Sequence, residues 1–520
     1  MKREEKLKEK QGKSGIYTYV IYFVLTAIFF GWYYSDVMHI AQQYSFFTTN
    51  PEQMKFVTDN TPYGYLWLIG RALLQSYYFP ILGGLITSVM LTLMAILISY
   101  IYKLKGYYTL FAYLVPTMWI GFAIYSGFDL YYQTETGKIF GIPFCILLIL
   151  VLQALFISTL KKRKFFSAAY WNGRDSSSKQ TYIKAIAIIL SYACIITYNE
   201  LERAYVRPTT YMQRCMWQQD WDAMITRAQE CGVSCRPIAA YYAIALSQKD
   251  LLNKNLFDIK YDYEHIHLHN RSHCSDFGTA MYETDCNFYA GLLLPANRCA
   301  IEKITMEGPS AYFLKRLALI SLANEENELC DKYLTILETL PFEQDFTEKY
   351  RKLLNQKSLR DKDPEISKIK QMEPVNDFFE YSFKQPTFLG YNVALLQGRS
   401  RNALEASIAA CLYTKLMPDF LLRTEPLIGT TPTGHIAEAL TMESTSNAQV
   451  GKVFQISSFA KHKYKAFLKE AKKYMRNKKE GQKLLFDQYK GYYPYYYYFG
   501  NLPSASNQQT ENQTKKSRVN

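Results

Sequence analysis

Long apolar runs are the feature that most constrains how this chain of 520 residues can fold. Each run is close to the roughly 20 residues that a helix needs to cross the hydrocarbon core of a bilayer. Four runs carry no charge, and the fifth carries only Lys184, near its start, where a lysine can extend to the headgroups. Continuous runs of this length indicate helices, because only helices and closed barrels satisfy every backbone group in lipid. The sequence therefore predicts five transmembrane helices, near residues 17–35, 80–102, 107–128, 139–160 and 182–198.

The first run, Tyr17–Trp32, follows a basic segment, as the apolar core of a signal peptide does. It ends at the bulky aromatic residues Trp32–Tyr34 and not at the small residues of a cleavage site, so we predict an uncleaved anchor. Tyr63–Tyr78 is also apolar but carries Arg71. We predict that this stretch is an interfacial helix lying in the membrane plane, with a short re-entrant segment as the alternative.

The positions of lysine and arginine predict the orientation of the spans. With five spans, the basic N-terminus (residues 1–14) and the long region 199–520 lie on opposite sides of the membrane. The side of the N-terminus collects 14 basic residues from its segments, whereas the opposite side carries Lys55, Arg71 and Lys138 before residue 199. The positive-inside rule then places the N-terminus in the cytoplasm. The expected location is the cytoplasmic (inner) membrane, with residues 199–520 periplasmic or extracellular.

The net charge of +14 is unevenly distributed and separates three regions. Residues 1–198 carry a net charge of +9, residues 199–450 a net charge of −6 and residues 451–520 a net charge of +11. The predicted domains are the basic N-terminus (1–14), a transmembrane domain (15–198), a helical extramembrane domain (199–490) and a Tyr-rich segment with a disordered tail (491–520).

Beyond Leu201, apolar residues recur at spacings of three and four, and glycine or proline marks several segment ends. This pattern predicts helices, and together with the spans it predicts an all-α fold. The predicted extramembrane helices are Tyr211–Glu230, Pro237–Leu246, Phe277–Leu294, Ser310–Ala323, Glu325–Leu340, Phe388–Gln397 and Asn402–Leu416.

Residues 314–341 resemble a tetratricopeptide repeat (TPR), with two helices joined by an acidic turn. Leu317–Ala318 match the Leu-Gly position of the first helix, Cys330 the small residue of the second and Leu334 its large one. Small residues there let the helices approach closely, and stacked pairs bury a continuous core. Neighbouring segments match loosely, so the expected domain is TPR-like and degenerate.

The whole chain also resembles an uncharacterised bacterial family of multi-pass membrane proteins whose spans precede a degenerate helical-repeat region. The segments that carry the resemblance are Trp217–Ala228, Ile244–Leu251, Leu314–Leu337 and Tyr492–Phe499. None of them is a catalytic motif, so the resemblance implies an architecture and no known activity.

Four of the seven histidines lie within nine residues, at His265, His267, His269 and His273, and Cys274 follows. An extended chain would point the first three imidazoles to one side, as a zinc site requires. The alternative is a polar loop whose histidines are solvated. Zinc is the one cofactor that the sequence suggests, and the solvated loop is the favoured interpretation.

An enzymatic alternative rests on Asp36, Asp59 and Arg71, which lie in or near the first predicted external loop. Their arrangement is similar to that of polytopic glycosyltransferases that use lipid-linked sugars. There an acidic residue in this loop acts as general base or metal ligand, and an arginine could hold the lipid phosphate. The alternative interpretation is that these are solvated interfacial residues.

The segment 461–490 is rich in lysine. It is predicted to be a solvated terminal helix that caps the helical stack, or a basic surface for anionic lipid or glycan. Nucleic acid is not an expected partner, because the predicted compartment lacks it. The sequence thus favours a membrane-anchored helical-repeat scaffold or binding protein of the cell envelope, with a protein partner, over an enzyme.

Overall fold

The computed structural model describes residues 16–61, 63–126, 136–160, 178–232, 235–261, 279–374 and 400–500. Within these ranges the regular elements are helices and no β-strand occurs, which confirms the predicted all-α class. The helices up to residue 202 are α1 (Ile16–Tyr33), α2 (Ser35–Tyr44), α3 (Pro51–Asp59), α4 (Gly64–Leu74), α5 (Pro80–Ile101), α6 (Leu110–Ser126), α7 (Lys138–Leu160) and α8 (Ser178–Glu202).

The remaining described helices are shorter and more polar. They are α9 (Val206–Trp217), α10 (Trp221–Glu230), α11 (Arg236–Gln248), α12 (Leu252–Asn255), α13 (Thr279–Tyr289), α14 (Leu293–Glu307), α15 (Ala311–Ala323), α16 (Asn327–Glu338), α17 (Gln344–Asn355), α18 (Lys357–Arg360), α19 (Pro364–Met372), α20 (Arg401–Thr414), α21 (Met417–Thr424), α22 (Gly434–Glu443), α23 (Ala448–Val453), α24 (Ser458–Ala471), α25 (Lys478–Tyr489) and α26 (Tyr493–Phe499).

Five helices of the described chain are long and apolar enough to cross a membrane, which confirms the predicted number of membrane-length segments. Large apolar side chains are exposed along these helices, as a lipid-facing surface requires. The five segments are Ile16–Tyr33, Pro80–Ile101, Gly106–Tyr125, Lys138–Thr159 and Lys179–Glu202.

The described residues group into two compact units that a single cut along the chain does not separate. Unit 1 draws its residues from 1–210 and also from 304–315 and 334–348. Unit 2 draws its residues from 211–303, 316–333 and 349–520. Two short segments of the predicted extramembrane region therefore pack with the apolar helices of unit 1.

Polar side chains join the apolar helices of unit 1. The Thr26 hydroxyl of α1 lies 2.6 Å from the Tyr192 hydroxyl of α8. The Tyr113 hydroxyl of α6 donates to the Thr18 hydroxyl of α1 over 2.9 Å. In a bilayer, apolar burial does little to drive helices together, because lipid tails are as apolar as the helix surfaces. Hydrogen bonds between helices therefore help to determine which helices associate. These two bonds link α1 to both α6 and α8.

Glycine lets α4 and α7 approach closely. A Cβ atom added to Gly70 of α4 would lie 1.9 Å from the Gly137 carbonyl oxygen, just before α7. We expect Gly70→Ala to force the two helices apart and to destabilise unit 1 by about 1–3 kcal/mol. Thermal unfolding of the full chain in detergent measures this loss.

Gly121 of α6 provides the matched control, because no atom lies within 4 Å of a Cβ added there. Gly121→Ala should leave the melting temperature unchanged or raise it, since alanine favours helix. Equal melting temperatures for the Gly70→Ala and wild-type proteins would contradict the close-packing account.

In unit 2, neighbouring helices pack as α10 with α11, α20 with α21 and α25 with α26. Two predicted helices are each divided in the structure. Tyr211–Glu230 is interrupted because the Asp220 carboxylate caps α10 by accepting from the Ala223 N–H, over 3.1 Å. Phe277–Leu294 is interrupted at Gly291, whose φ of +74° ends α13.

The other predicted extramembrane helices within the described ranges correspond to α11, α15, α16 and α20. The predicted helix Phe388–Gln397 lies outside the described residues. The lysine-rich segment forms two helices, α24 and α25, where one was predicted, and a 3₁₀ turn over Lys472–Tyr474 follows the first.

Candidate functional site

The three candidate residues of the predicted glycosyltransferase-like site fall on successive helices of unit 1. Asp36 lies in the first turn of α2, Asp59 is the last residue of α3, and Arg71 lies in the last turn of α4. Helix α4 packs against both α2 and α3. Arg71 is 9% exposed, whereas Asp59 is exposed and accepts a long hydrogen bond of 3.5 Å from the Tyr65 hydroxyl. The two residues therefore have different surroundings.

The predicted zinc ligands His265, His267, His269, His273 and Cys274 lie outside the described residues. In the part of the chain that the structure describes, no group of three His, Cys, Asp or Glu side chains is arranged to hold a metal ion.

A buried row of polar side chains in unit 1 was not anticipated from the sequence. The Gln42 amide nitrogen donates to the Gln75 side-chain oxygen over 2.9 Å, and the Gln43 amide nitrogen donates to the Gln42 oxygen over 2.8 Å. Lys315 Nζ donates to the Gln43 oxygen and forms an ion pair with Glu343 at 3.2 Å. All five side chains are buried. We call this set the unit 1 polar row.

The polar row joins α2 to the two distant segments of unit 1. Ala311 N–H donates to the Ser45 carbonyl over 3.4 Å, and Thr49 N–H donates to the Thr339 carbonyl over 2.8 Å. The Tyr78 ring stacks on the Phe342 ring with their centres 4.4 Å apart. The sequence carried a signal for this row, because the adjacent polar residues Gln42 and Gln43 follow the apolar pair Ile40 and Ala41 in a helix that is mostly buried.

A fully buried ion pair lies in unit 2. Arg316 of α15 donates to Asp285 of α13 over 2.7 Å, and both side chains are 0% exposed. The Tyr241 hydroxyl of α11 donates to the other Asp285 oxygen over 2.7 Å, and the Gln213 amide donates to that hydroxyl over 2.9 Å. This network connects four helices, α9, α11, α13 and α15, through side chains that all belong to unit 2.

Aromatic rings enclose the Arg316 guanidinium. Its carbon lies 4.5 Å from the centre of the Trp217 ring, 4.3 Å from that of Phe288 and 5.2 Å from that of Tyr289. Guanidinium groups stack favourably on aromatic faces, and the attraction grows when both are removed from water. Burial raises the pKa of the Tyr289 hydroxyl well above its usual value, so this ring stays neutral.

A second buried carboxylate lies near by in unit 2. Glu365 of α19 accepts from the Tyr289 hydroxyl over 3.1 Å, from the Tyr350 hydroxyl over 2.8 Å and from the Gln219 amide over 2.9 Å. Burial, and secondarily the charge of Glu365, raises the pKa of Tyr350, so the hydroxyl remains a donor. Tyr289 thus connects this carboxylate to the surroundings of Arg316.

The Tyr-rich segment near residue 495 forms part of the core of unit 2. Tyr496 of α26 stacks on Phe257, with ring centres 4.5 Å apart, and on Tyr413 at 6.2 Å. Lys415 lies beside it: its Nζ donates to the Gly500 carbonyl over 2.8 Å and is 5.0 Å from the Tyr496 ring centre.

Lys415 makes the stability of unit 2 depend on pH. Burial, with a smaller contribution from the charge of Lys478, lowers the pKa of Lys415 to about 7. An unfolded lysine titrates near 10.4, so the unfolded chain binds this proton more tightly between those two values. The contribution of Lys415 to stability should therefore rise as the pH increases from about 7 towards 10. Melting temperatures between about pH 7 and pH 8, below the range in which unfolded cysteines and tyrosines ionise, should show the rise.

Lys415→Met removes the titrating group and should flatten that dependence. Lys469→Met is the control, because Lys469 is exposed and its replacement should keep the slope of the wild type. An unchanged slope in the Lys415→Met protein would contradict the assignment.

The lysine-rich helices α24 and α25 expose most of their basic side chains. On α24 the buried side consists of Tyr464, Phe467 and Ala471, which pack into unit 2. The opposite side carries exposed lysines at three- and four-residue spacings, so they lie on one face of the helix. Five exposed basic residues follow this spacing, namely Lys461, Lys465, Lys469, Lys472 and Arg476. We call them the basic face.

A model of a protein family described as a family of unknown function, DUF6057, matches the chain in two overlapping stretches, residues 13–136 and residues 107–500. No curated protein and no solved structure matches the chain. The matched stretches together take in most of the sequence, including the apolar helices of unit 1 and the helices of unit 2. The chain therefore belongs to DUF6057, a family of unknown function.

Proposed function

We propose that the protein is a membrane-anchored binding protein of the cell envelope, whose helices in unit 2 form a TPR-like scaffold for a protein partner. The observation that carries this proposal is a fully buried ion pair in the described part of unit 2. Asp285 and Arg316 are 0% exposed and bond to each other. A catalytic acid, base or anion-binding group must reach its substrate, and these two groups reach only other core residues.

The buried network instead gives unit 2 the properties of a scaffold. A charged pair that is fully desolvated holds its helices in one arrangement, because any displacement leaves a charge without its partner. The TPR-like interpretation is supported by residues 316–333 of unit 2, which contain the larger part of both predicted repeat helices, α15 and α16. Ala318 and Cys330, the residues at the small positions of the repeat, are both buried.

The five apolar helices would hold this scaffold at the cytoplasmic membrane, with the N-terminus in the cytoplasm and unit 2 outside. The support for this orientation is the distribution of lysine and arginine along the sequence. An external location would also give unit 2 access to envelope proteins, which is the class of partner that we propose.

Cross-linking in living cells tests the binding function. The tagged full chain is cross-linked through its surface lysines, and the linked peptides are identified by mass spectrometry. We expect one recurrent partner protein linked to lysines in 211–303 or 349–490. Partner links confined to residues 16–202 would contradict the proposal. Truncation after residue 198 would not test the role of unit 2 alone, because it also removes the segments 304–315 and 334–348 of unit 1.

A membrane glycosyltransferase that uses a lipid-linked sugar is the second candidate. The observation in its favour is that Arg71 lies on α4, which packs against α2, the helix that carries Asp36. An arginine can bind a phosphate through two parallel hydrogen bonds. Asp36→Asn and Asp59→Asn should each abolish complementation if this candidate is right, and full complementation by both variants would exclude these roles.

A further inference from the structure

The basic face of α24 has no acidic residue among its exposed positions. Along one side of the helix, Lys461, Lys465 and Lys469 succeed one another at four-residue spacing, and Lys472 continues the series. Lys463 is not part of this face, because it forms an ion pair with Glu438 at 3.4 Å and lies over the Tyr492 ring. The basic face is thus a separate concentration of positive charge.

Two large apolar side chains are exposed on the same two helices, α24 and α25. Phe459, in the first turn of α24, is 77% exposed, and Leu484 of α25 is 58% exposed. Lys479 and Lys483, one turn apart on α25, are exposed as well. A basic surface that also exposes large apolar side chains is the composition of helices that bind at a lipid–water interface.

We propose that the basic face binds the anionic phospholipid headgroups of a membrane, with Phe459 inserted among them. This inference rests on the membrane anchoring in the proposed function. Each lysine near an anionic membrane surface contributes about 1 kcal/mol of attraction, so four lysines together give substantial binding. A buried aromatic side chain adds apolar area to this attraction.

Tethering favours lipid over other anionic ligands. A chain that is anchored by transmembrane helices encounters headgroups at a high effective concentration, so a modest affinity of the face is sufficient for occupancy. A free anion has no such advantage. Nucleic acid would require stacking or groove contacts along an extended surface, whereas this face offers one helix and a single exposed aromatic ring.

Photo-cross-linking of the full chain in lipid nanodiscs tests the proposal. The photoreactive amino acid p-benzoylphenylalanine replaces Phe459 in one variant and Leu422 in the control. Leu422 is a second large exposed apolar residue of unit 2, on α21. In nanodiscs that contain phosphatidylglycerol, we expect at least about tenfold more lipid adduct at position 459 than at position 422.

Charge reversal distinguishes lipid binding by the lysines from lipid contact that arises only because position 459 lies near the bilayer. The variant Lys461→Glu, Lys465→Glu, Lys469→Glu and Lys472→Glu should reduce the adduct at position 459 by about tenfold or more. Nanodiscs of phosphatidylcholine alone should give the same reduction. Equal adducts at positions 459 and 422, or an adduct that charge reversal leaves unchanged, would overturn the proposal.

Two further arms complete the test. Inorganic phosphate at matched ionic strength should leave the lipid adduct in place. Loss of the adduct would identify a site for free phosphate and overturn the lipid assignment.

Partner cross-links to unit 2 that persist while the lipid adduct fails would refute the lipid assignment alone. Release of the full chain from membranes by alkaline carbonate would instead refute the anchoring on which both proposals rest.

Discussion

Arg316→Met should destabilise unit 2 by about 3–5 kcal/mol, because it leaves the Asp285 carboxylate buried without its cation. Methionine fills the space among Trp217, Phe288 and Tyr289 with an apolar chain, so the loss reports the charge and not a cavity. The Tyr241 hydroxyl remains as a donor to Asp285 and compensates only in part. Pulse proteolysis of the full chain in nanodiscs, with cleavage sites mapped in unit 2, measures this stability.

The double variant Asp285→Asn with Arg316→Met is the control for this explanation. It removes both charges, so we expect it to recover a substantial part of the stability lost in the single variant. Asparagine retains an oxygen that can accept from the Tyr241 hydroxyl. If the single and double variants are equally unstable, packing and not the uncompensated charge determines the loss.

Lys315→Met should have an effect of similar size in unit 1, about 3–5 kcal/mol. The substitution leaves Glu343 buried without its cation and removes the hydrogen bond to the Gln43 oxygen. The polar row would then end at Gln43, so the attachment of the segments 304–315 and 334–348 should weaken. Hydrogen exchange of backbone amides in those two segments measures the loss locally.

Lys332→Met is the matched control for this prediction. Lys332 is exposed on α16, so its replacement should change stability by no more than about 0.5 kcal/mol. Faster exchange in segments 304–315 and 334–348 is expected for Lys315→Met and not for Lys332→Met. Equal exchange in the two variants would show that the polar row does not hold these segments.

The membrane-length helices were predictable because lipid imposes a requirement that composition alone reveals. A span needs an uninterrupted apolar run, and such a run predicts both that a helix is present and how long it is. The run Tyr17–Trp32 corresponds to Ile16–Tyr33 in the structure, and Pro80–Tyr102 corresponds to Pro80–Ile101. No partner elsewhere in the chain had to be known.

The buried polar contacts were not predictable, because their partners are distant in sequence. Lys315 and Arg316 are adjacent, yet one pairs with Glu343 and the other with Asp285. Periodicity shows only that two basic residues interrupt an apolar helix, and that signal alone does not identify the carboxylates. The division of Tyr211–Glu230 at Asp220 has a different cause, because a local cap outweighs the continuing apolar period.

The two candidate sites, the basic face and Arg71, also differ in how far the sequence predicts them. The exposure of the basic face follows from lysine spacing, because charged side chains on one helix side seek water. The burial of Arg71 depends on how α4 packs, which the order of residues along the chain does not specify.

Cysteine labelling in intact cells tests the central claim most directly. The claim is that the spans anchor unit 2 on the non-cytoplasmic side of the cytoplasmic membrane. Lys332→Cys places a thiol on the exposed surface of unit 2, and Lys6→Cys places one in the basic N-terminus. Wild-type labelling gives the background from the native cysteines. With a maleimide that does not cross the cytoplasmic membrane, we predict labelling of the Lys332→Cys protein in intact cells and of the Lys6→Cys protein only after permeabilisation. The reverse pattern would place unit 2 in the cytoplasm and contradict the proposal.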